Sequence, residues 1–241
     1  MFTKKDYQLP SLRIIGNLAA GPKKIVERLL NENVVKVIAN LLEIVQEKFV
    51  LIELLWIVKN FSDSTVDVIN NIISYPNICS ALINLCANNL DYENKIEVIN
   101  IFYNFVKNGN KCTMKILIER EVVEYICSEL DFIIEGNSDR NKFLMLCLGV
   151  LNKILSSIKK EKDNDGLIET GNKMLSVINK YSIIEKLEHK INNNDNKTKS
   201  LCNQKNTINE LIRMAINTIK IIEHNSNDYD LNSDLQQEQI R

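Results

Sequence analysis

Apolar positions recur with helical spacing through most of this chain. The run from Glu47 to Phe61 contains neither proline nor glycine and reads as one helix. Glu53, Trp56 and Asn60 stand in it at i, i+3 and i+7, so they share one narrow face. Phe49, Val50, Leu51, Ile52, Leu54, Leu55, Ile57, Val58 and Phe61 make the remainder apolar nearly all round. Such a helix is expected to be buried on most sides, with one polar seam open. An asparagine in mid-helix costs propensity because its amide competes for backbone partners, so its recurrence elsewhere carries information.

The same spacing predicts helices along the rest of the chain. Pro10 is expected to open the first, over 9–19, and Gly21-Pro22 to end it. Helices follow over 23–31, 34–45, 48–61, 65–74, 76–87, 92–106, 112–119, 122–134 and about 138–158. Ser62-Asp63-Ser64 reads as a loop with a capping side chain. The order is short, medium, long, three times over. After a polar loop at Glu161–Gly166, helices are expected over 168–180, 183–191 and 208–223. An asparagine- and lysine-rich insertion at 192–206 reads as mobile, and a tail over 224–241 as disordered.

Aligning the long helices places Asn17, Asn60 and Asn104 at one position, 43 and 44 residues apart. Glu53 and Glu97 each precede their asparagine by seven, and Lys153 falls at the corresponding point of the fourth long helix. A period of roughly 40–47 residues with two or three helices per unit marks HEAT and armadillo arrays. The fold class predicted is therefore all-α, an α-solenoid. In such a solenoid the third helices line the concave face. Amide side chains repeated along them can donate to and accept from the main chain of an extended peptide. Trp56 offers a flat wall and a π-face for a lysine, and Glu53 and Glu97 an opposite charge. Taken singly, a tryptophan in an apolar helix equally suits a core, and the glutamates a solvated face. The shared register is what favours a groove for an extended basic peptide.

The chain has 241 residues, 45% hydrophobic and 25% charged, with 30 Lys+Arg against 31 Asp+Glu. That supports a substantial core and gives no basic excess, so nucleic acid and anionic membranes are not expected partners. No segment reaches the ~18 apolar residues of a membrane-spanning helix, and Met1 to Asp6 is followed by no signal-peptide core. A soluble, intracellular protein is expected. Seven glycines and three prolines argue for helix. The six cysteines lack a C-x-x-C pair and read as reduced thiols, mostly buried. His189 and His224 have no metal-ligand spacing around them, and neither a phosphate loop nor a nucleophile elbow occurs. No enzyme, cofactor or metal is expected.

These residues resemble the importin α family, the adaptors for nuclear localisation signals. Leu12-Arg13-Ile14-Ile15-Gly16-Asn17-Leu18 is similar to the third helix of that family's sixth armadillo repeat, with Arg13 where other repeats carry tryptophan. Glu53-Leu-Leu-Trp56-Ile-Val-Lys-Asn60 resembles the seventh repeat, and Glu97 with Asn104 the eighth. Leu148 to Leu155 is similar to the ninth, and Ile183 to His189 with the helix over 208–223 to the tenth. The resemblance implies a right-handed armadillo solenoid over 1–223, of about four to five repeats with the first partial. It further implies contact of Asn17, Trp56, Asn60, Glu97 and Asn104 with basic nuclear-localisation-signal cargo, Arg13 and Glu53 lying beside them. An export receptor at the last repeat and residence in cytoplasm and nucleus are also implied. The chain departs from the pattern at Asn100, where the eighth repeat's tryptophan is expected, and at Ala20, Lys23 and Lys59. Nothing here corresponds to the family's importin-β-binding segment and first five repeats, so Leu12, Ile15 and Leu18 are expected to lack a covering repeat. The departures favour a second reading, a diverged armadillo scaffold that binds no nuclear signal.

Overall fold

A computed structural model describes residues 4–87, 91–135, 141–159, 165–196 and 208–222. Among the described residues the regular elements are α-helices: α1 (Lys4–Ala19), α2 (Lys23–Asn31), α3 (Val34–Ile44), α4 (Lys48–Ser62), α5 (Val66–Ser74), α6 (Pro76–Ala87), α7 (Tyr92–Asn108), α8 (Lys111–Glu119), α9 (Val122–Glu135), α10 (Asn141–Lys159), α11 (Asp165–Lys180), α12 (Ile183–Asn196) and α13 over 208–222. From α2 to α10 their lengths run 9, 11, 15, then 9, 12, 17, then 9, 14, 19 residues.

Two compact units divide the chain, one to Val122 and one from Val123. In the first, α1 packs on α4 and α4 on α7, while α2 packs on α5, α3 on α6 and α5 on α8. Each helix thus lies against its counterpart one period later, which is how repeats with one apolar face each assemble a continuous core. Leu54, Ile57, Ile69, Ile73, Leu82, Ile101 and Phe105 fill that core and are almost fully buried. Two of the turns between first and second helices use one left-handed residue, Asn33 (φ 55°) and Glu121 (φ 62°). Tyr75-Pro76 makes the same corner between α5 and α6 without one.

In the second unit α11 contacts both α10 and α12. Asn152 on α10 donates its amide to the Leu211 carbonyl of α13 (3.0 Å). Lys186 pairs with Asp131, Lys180 with Glu124, and Lys220 with Glu188 (2.7 Å). Ser182 takes the left-handed turn before α12 (φ 49°).

Several expectations are corrected. Pro10 lies inside α1 and does not open it, since the helix starts at Lys4. At the seventh position of the helix this proline lacks the N–H that would bond the Asp6 carbonyl, and its ring crowds that carbonyl. No Ser or Asp side chain caps α5, because α4 continues through Ser62, whose hydroxyl donates to the Lys59 carbonyl (2.7 Å). Helix α11 begins at Asp165, inside the expected loop, and α12 runs on to Asn196, into the expected insertion. The rest of that insertion and the tail lie outside the described residues, as does the expected start of α10.

Helix α4 is less buried than its composition suggests: Phe49 is 72% exposed, and Ile52 and Trp56 are also open to solvent. On α1, Leu12 is buried and Ile15 half-buried, against expectation, while Tyr7, Ile14 and Leu18 are exposed apolar residues. Their counterparts 43 residues later, Val50, Ile57 and Phe61, are buried where α1 covers α4.

Candidate functional site

Because α1, α4 and α7 stack side by side, matching positions on them fall into rows. Asn17, Asn60 and Asn104 form one row, and Arg13, Trp56 and Asn100, four residues earlier on each helix, form another. Asn17 is exposed, and Asn60, Asn100 and Asn104 are half-buried. Two of the amides are partly engaged. Asn60 Nδ2 donates to the carbonyl oxygen of Gly16 (3.0 Å), and Asn104 Nδ2 donates to Ser62 Oγ (3.0 Å). A primary amide has two N–H groups and an acceptor oxygen, so each retains capacity for a ligand main chain.

Gly16 is the hinge of this arrangement for a steric reason. A β-carbon there would overlap the six-membered ring of Trp56, which lies against the glycine backbone. Trp56 is thereby held with one side on α1 and 36% of its surface open. Phe49 and Ile52 precede it at i−7 and i−4 on the same helix and extend its apolar surface toward the start of α4.

Both glutamates have protein partners. Arg13 Nε donates to Glu53 Oε1 (2.7 Å), and Lys59 Nζ pairs with Glu97 Oε2 (2.5 Å). The Arg13 side chain is 66% exposed, whereas that of Glu53 is 13% exposed. The carboxylate therefore sits beneath its cation, and the guanidinium is what solvent meets. All seven expected site residues belong to the first unit, and these bonds and ion pairs link α1 to α4 and α4 to α7.

Other members of the surface carry no strong signal in the sequence. Asn108, one turn after Asn104, donates to Asp63 Oδ1 (3.1 Å) and the Ser62 carbonyl (3.4 Å). Together with Asn104 it fastens the end of α4 to α7. A similar fastening recurs between α5 and α8, where Thr113 Oγ1 accepts from the Asn110 N–H and donates to Asn70 Oδ1 (2.9 Å). Phe49 was detectable only as part of an apolar run. Its exposure follows from its place on the face shared by Trp56 and Asn60. Among the described residues, no group of three His, Cys, Asp or Glu could hold a metal ion.

No protein-family profile matches the sequence, and no curated relative matches it. Solved structures do. A designed armadillo repeat protein in complex with the peptide (KR)4 superposes with a TM-score of 0.55 at 15% identity, over 90% of this chain and 94% of its own. Computationally designed armadillo repeat proteins for modular peptide recognition give 0.54 at 13% identity, over 90% and 94%. An engineered protein gives 0.57 at 16% identity, over 91% of this chain and 56% of its own. At such identities the likeness is one of fold, and that fold is an all-α solenoid of armadillo-type repeats.

Proposed function

We propose that this chain is a peptide-binding scaffold, with the face of α1, α4 and α7 as its groove. The observation that carries the reading is the row of Asn17, Asn60 and Asn104 beside an open Trp56. Amides at one position on three stacked helices can hold the backbone of an extended segment whatever its side chains. The designed neighbours, one in complex with (KR)4 and others designed for modular peptide recognition, share the fold. Fluorescence anisotropy with labelled extended peptides tests it. Saturable binding that weakens at least tenfold in both Trp56→Ala and Asn60→Ala is expected. Binding indifferent to both substitutions overturns the groove.

A narrower reading makes the chain an importin α-like adaptor, with basic localisation signals as cargo and passage between cytoplasm and nucleus. The Glu53–Trp56–Asn60 spacing and its echo in Glu97 and Asn104 favour it. It requires a basic peptide to displace Arg13 from Glu53 and Lys59 from Glu97. A lysine-rich peptide that binds and is imported into nuclei only with an intact Trp56 would support it, and one that fails to bind would refute it.

A further inference from the structure

We infer that the groove on α1, α4 and α7 takes an extended segment joining a bulky apolar side chain to a nearby carboxylate, not a run of lysines and arginines. The inference rests on the peptide-groove reading and names its ligand class.

Three observations carry it. The first is that the carboxylates a basic ligand needs are already paired. A lysine reaching Glu53 must push aside a guanidinium bonded at 2.7 Å to a side chain that is itself only 13% exposed. One ion pair is then traded for another, with little net gain. At Glu97 the incoming cation meets Lys59 in the same way.

The second is the apolar shelf. Phe49, Ile52 and Trp56 are all exposed, at i, i+3 and i+7 along α4, on the helix flanked by both α1 and α7. Exposed large hydrophobics gathered on one face mark a contact surface, and a recessed aromatic is the usual anchor for a ligand side chain.

The third is the state of Arg13. Glu53 engages its Nε, and the side chain is two-thirds exposed. One Nη–H lies beside Nε–H on the edge that Glu53 occupies, and the end-on pair of Nη–H groups makes a planar fork that can donate to a carboxylate. Arg13 and Trp56 occupy the same row on adjacent helices, which stack roughly 8–10 Å apart. An extended chain advances about 3.3 Å per residue. Side chains of an extended segment share a face at every second residue, so the carboxylate should lie two residues from the apolar side chain, about 6.6 Å along the segment, with the long Arg13 side chain spanning the remainder.

The test uses three fluorescein-labelled octapeptides on the full chain: one with leucine and glutamate two residues apart, one neutral and polar, and (KR)4. The leucine–glutamate peptide should bind at least tenfold tighter than (KR)4 and lose about tenfold in Arg13→Gln. The double variant Arg13→Gln/Lys59→Gln uncovers Glu53 and Glu97 and should raise (KR)4 affinity above that of the unaltered chain. A folding defect alone would lower both affinities, so this reversal separates the proposal from a structural role. If (KR)4 binds as tightly as the leucine–glutamate peptide or tighter, and Trp56→Ala abolishes it, the ligand class is wrong and the groove survives. If none of the three binds, or Trp56→Ala changes nothing, both readings fall.

Discussion

Asn60 donates its side-chain amide to the carbonyl of Gly16, and the ring of Trp56 lies against that same glycine. One residue without a side chain thus receives two of the three members of the neighbouring helix's seam. Gly16→Ala should drive the ring off α1. Helix propensity improves by about 1 kcal/mol with alanine, which offsets the lost ring contact. Stability should therefore change by no more than about 1 kcal/mol while Trp56 emission shifts to the red. Urea denaturation and the native emission spectrum of this single-tryptophan chain check both halves.

The asparagine row divides by what each amide touches in the free protein. Asn60→Ala removes an inter-helix hydrogen bond and should cost about 1 kcal/mol. Asn17 is exposed, so Asn17→Ala should leave stability unchanged while still weakening peptide binding. Paired urea titrations and anisotropy measurements on the two variants would show the contrast.

Much of this was legible in the sequence. The apolar spacing gives the helices and their rhythm, and the 43- and 44-residue offsets of the asparagines give the stacking of α1, α4 and α7. What the spacing cannot carry is who pairs with whom. Glu53 reads as a free carboxylate until Arg13, 40 residues earlier, is seen to lie over it. Lys59 reads as an intruder next to Asn60, yet it is the partner of Glu97. Phe49 is invisible for another reason. An apolar residue in an apolar helix carries no label of its face until the neighbouring helices are in place. The same holds at α1, where Leu12 and Ile14 look alike and only one is covered.

That uncovered side makes its own prediction. Ile14 is 60% exposed and its counterpart Ile57 is 0% exposed. Ile14→Lys should alter stability by less than about 0.5 kcal/mol, whereas Ile57→Lys buries an unpaired charge and should cost more than about 4 kcal/mol or prevent folding. Thermal melts of the pair test the repeat register directly.

Burial pushes the Cys79 and Cys127 thiols from an ordinary 9.0 up to about 12. Their folded forms stay protonated where the unfolded thiols ionise. The contribution to stability is complete below about pH 9 and is lost as pH rises toward 12. Stability of the unaltered chain should therefore fall more steeply over that window than that of Cys79→Ala/Cys127→Ala. At pH 8 exposed Cys112 should react with iodoacetamide at once, and Cys79 and Cys127 only on unfolding.

The most direct test of the account follows the indole N–H resonance of Trp56, the only one the chain can give. Titration with the leucine–glutamate octapeptide should move that signal along a saturable curve, and Asn60→Ala should weaken the midpoint at least tenfold. A resonance that stays in place while the peptide binds would put the ligand elsewhere and contradict the groove.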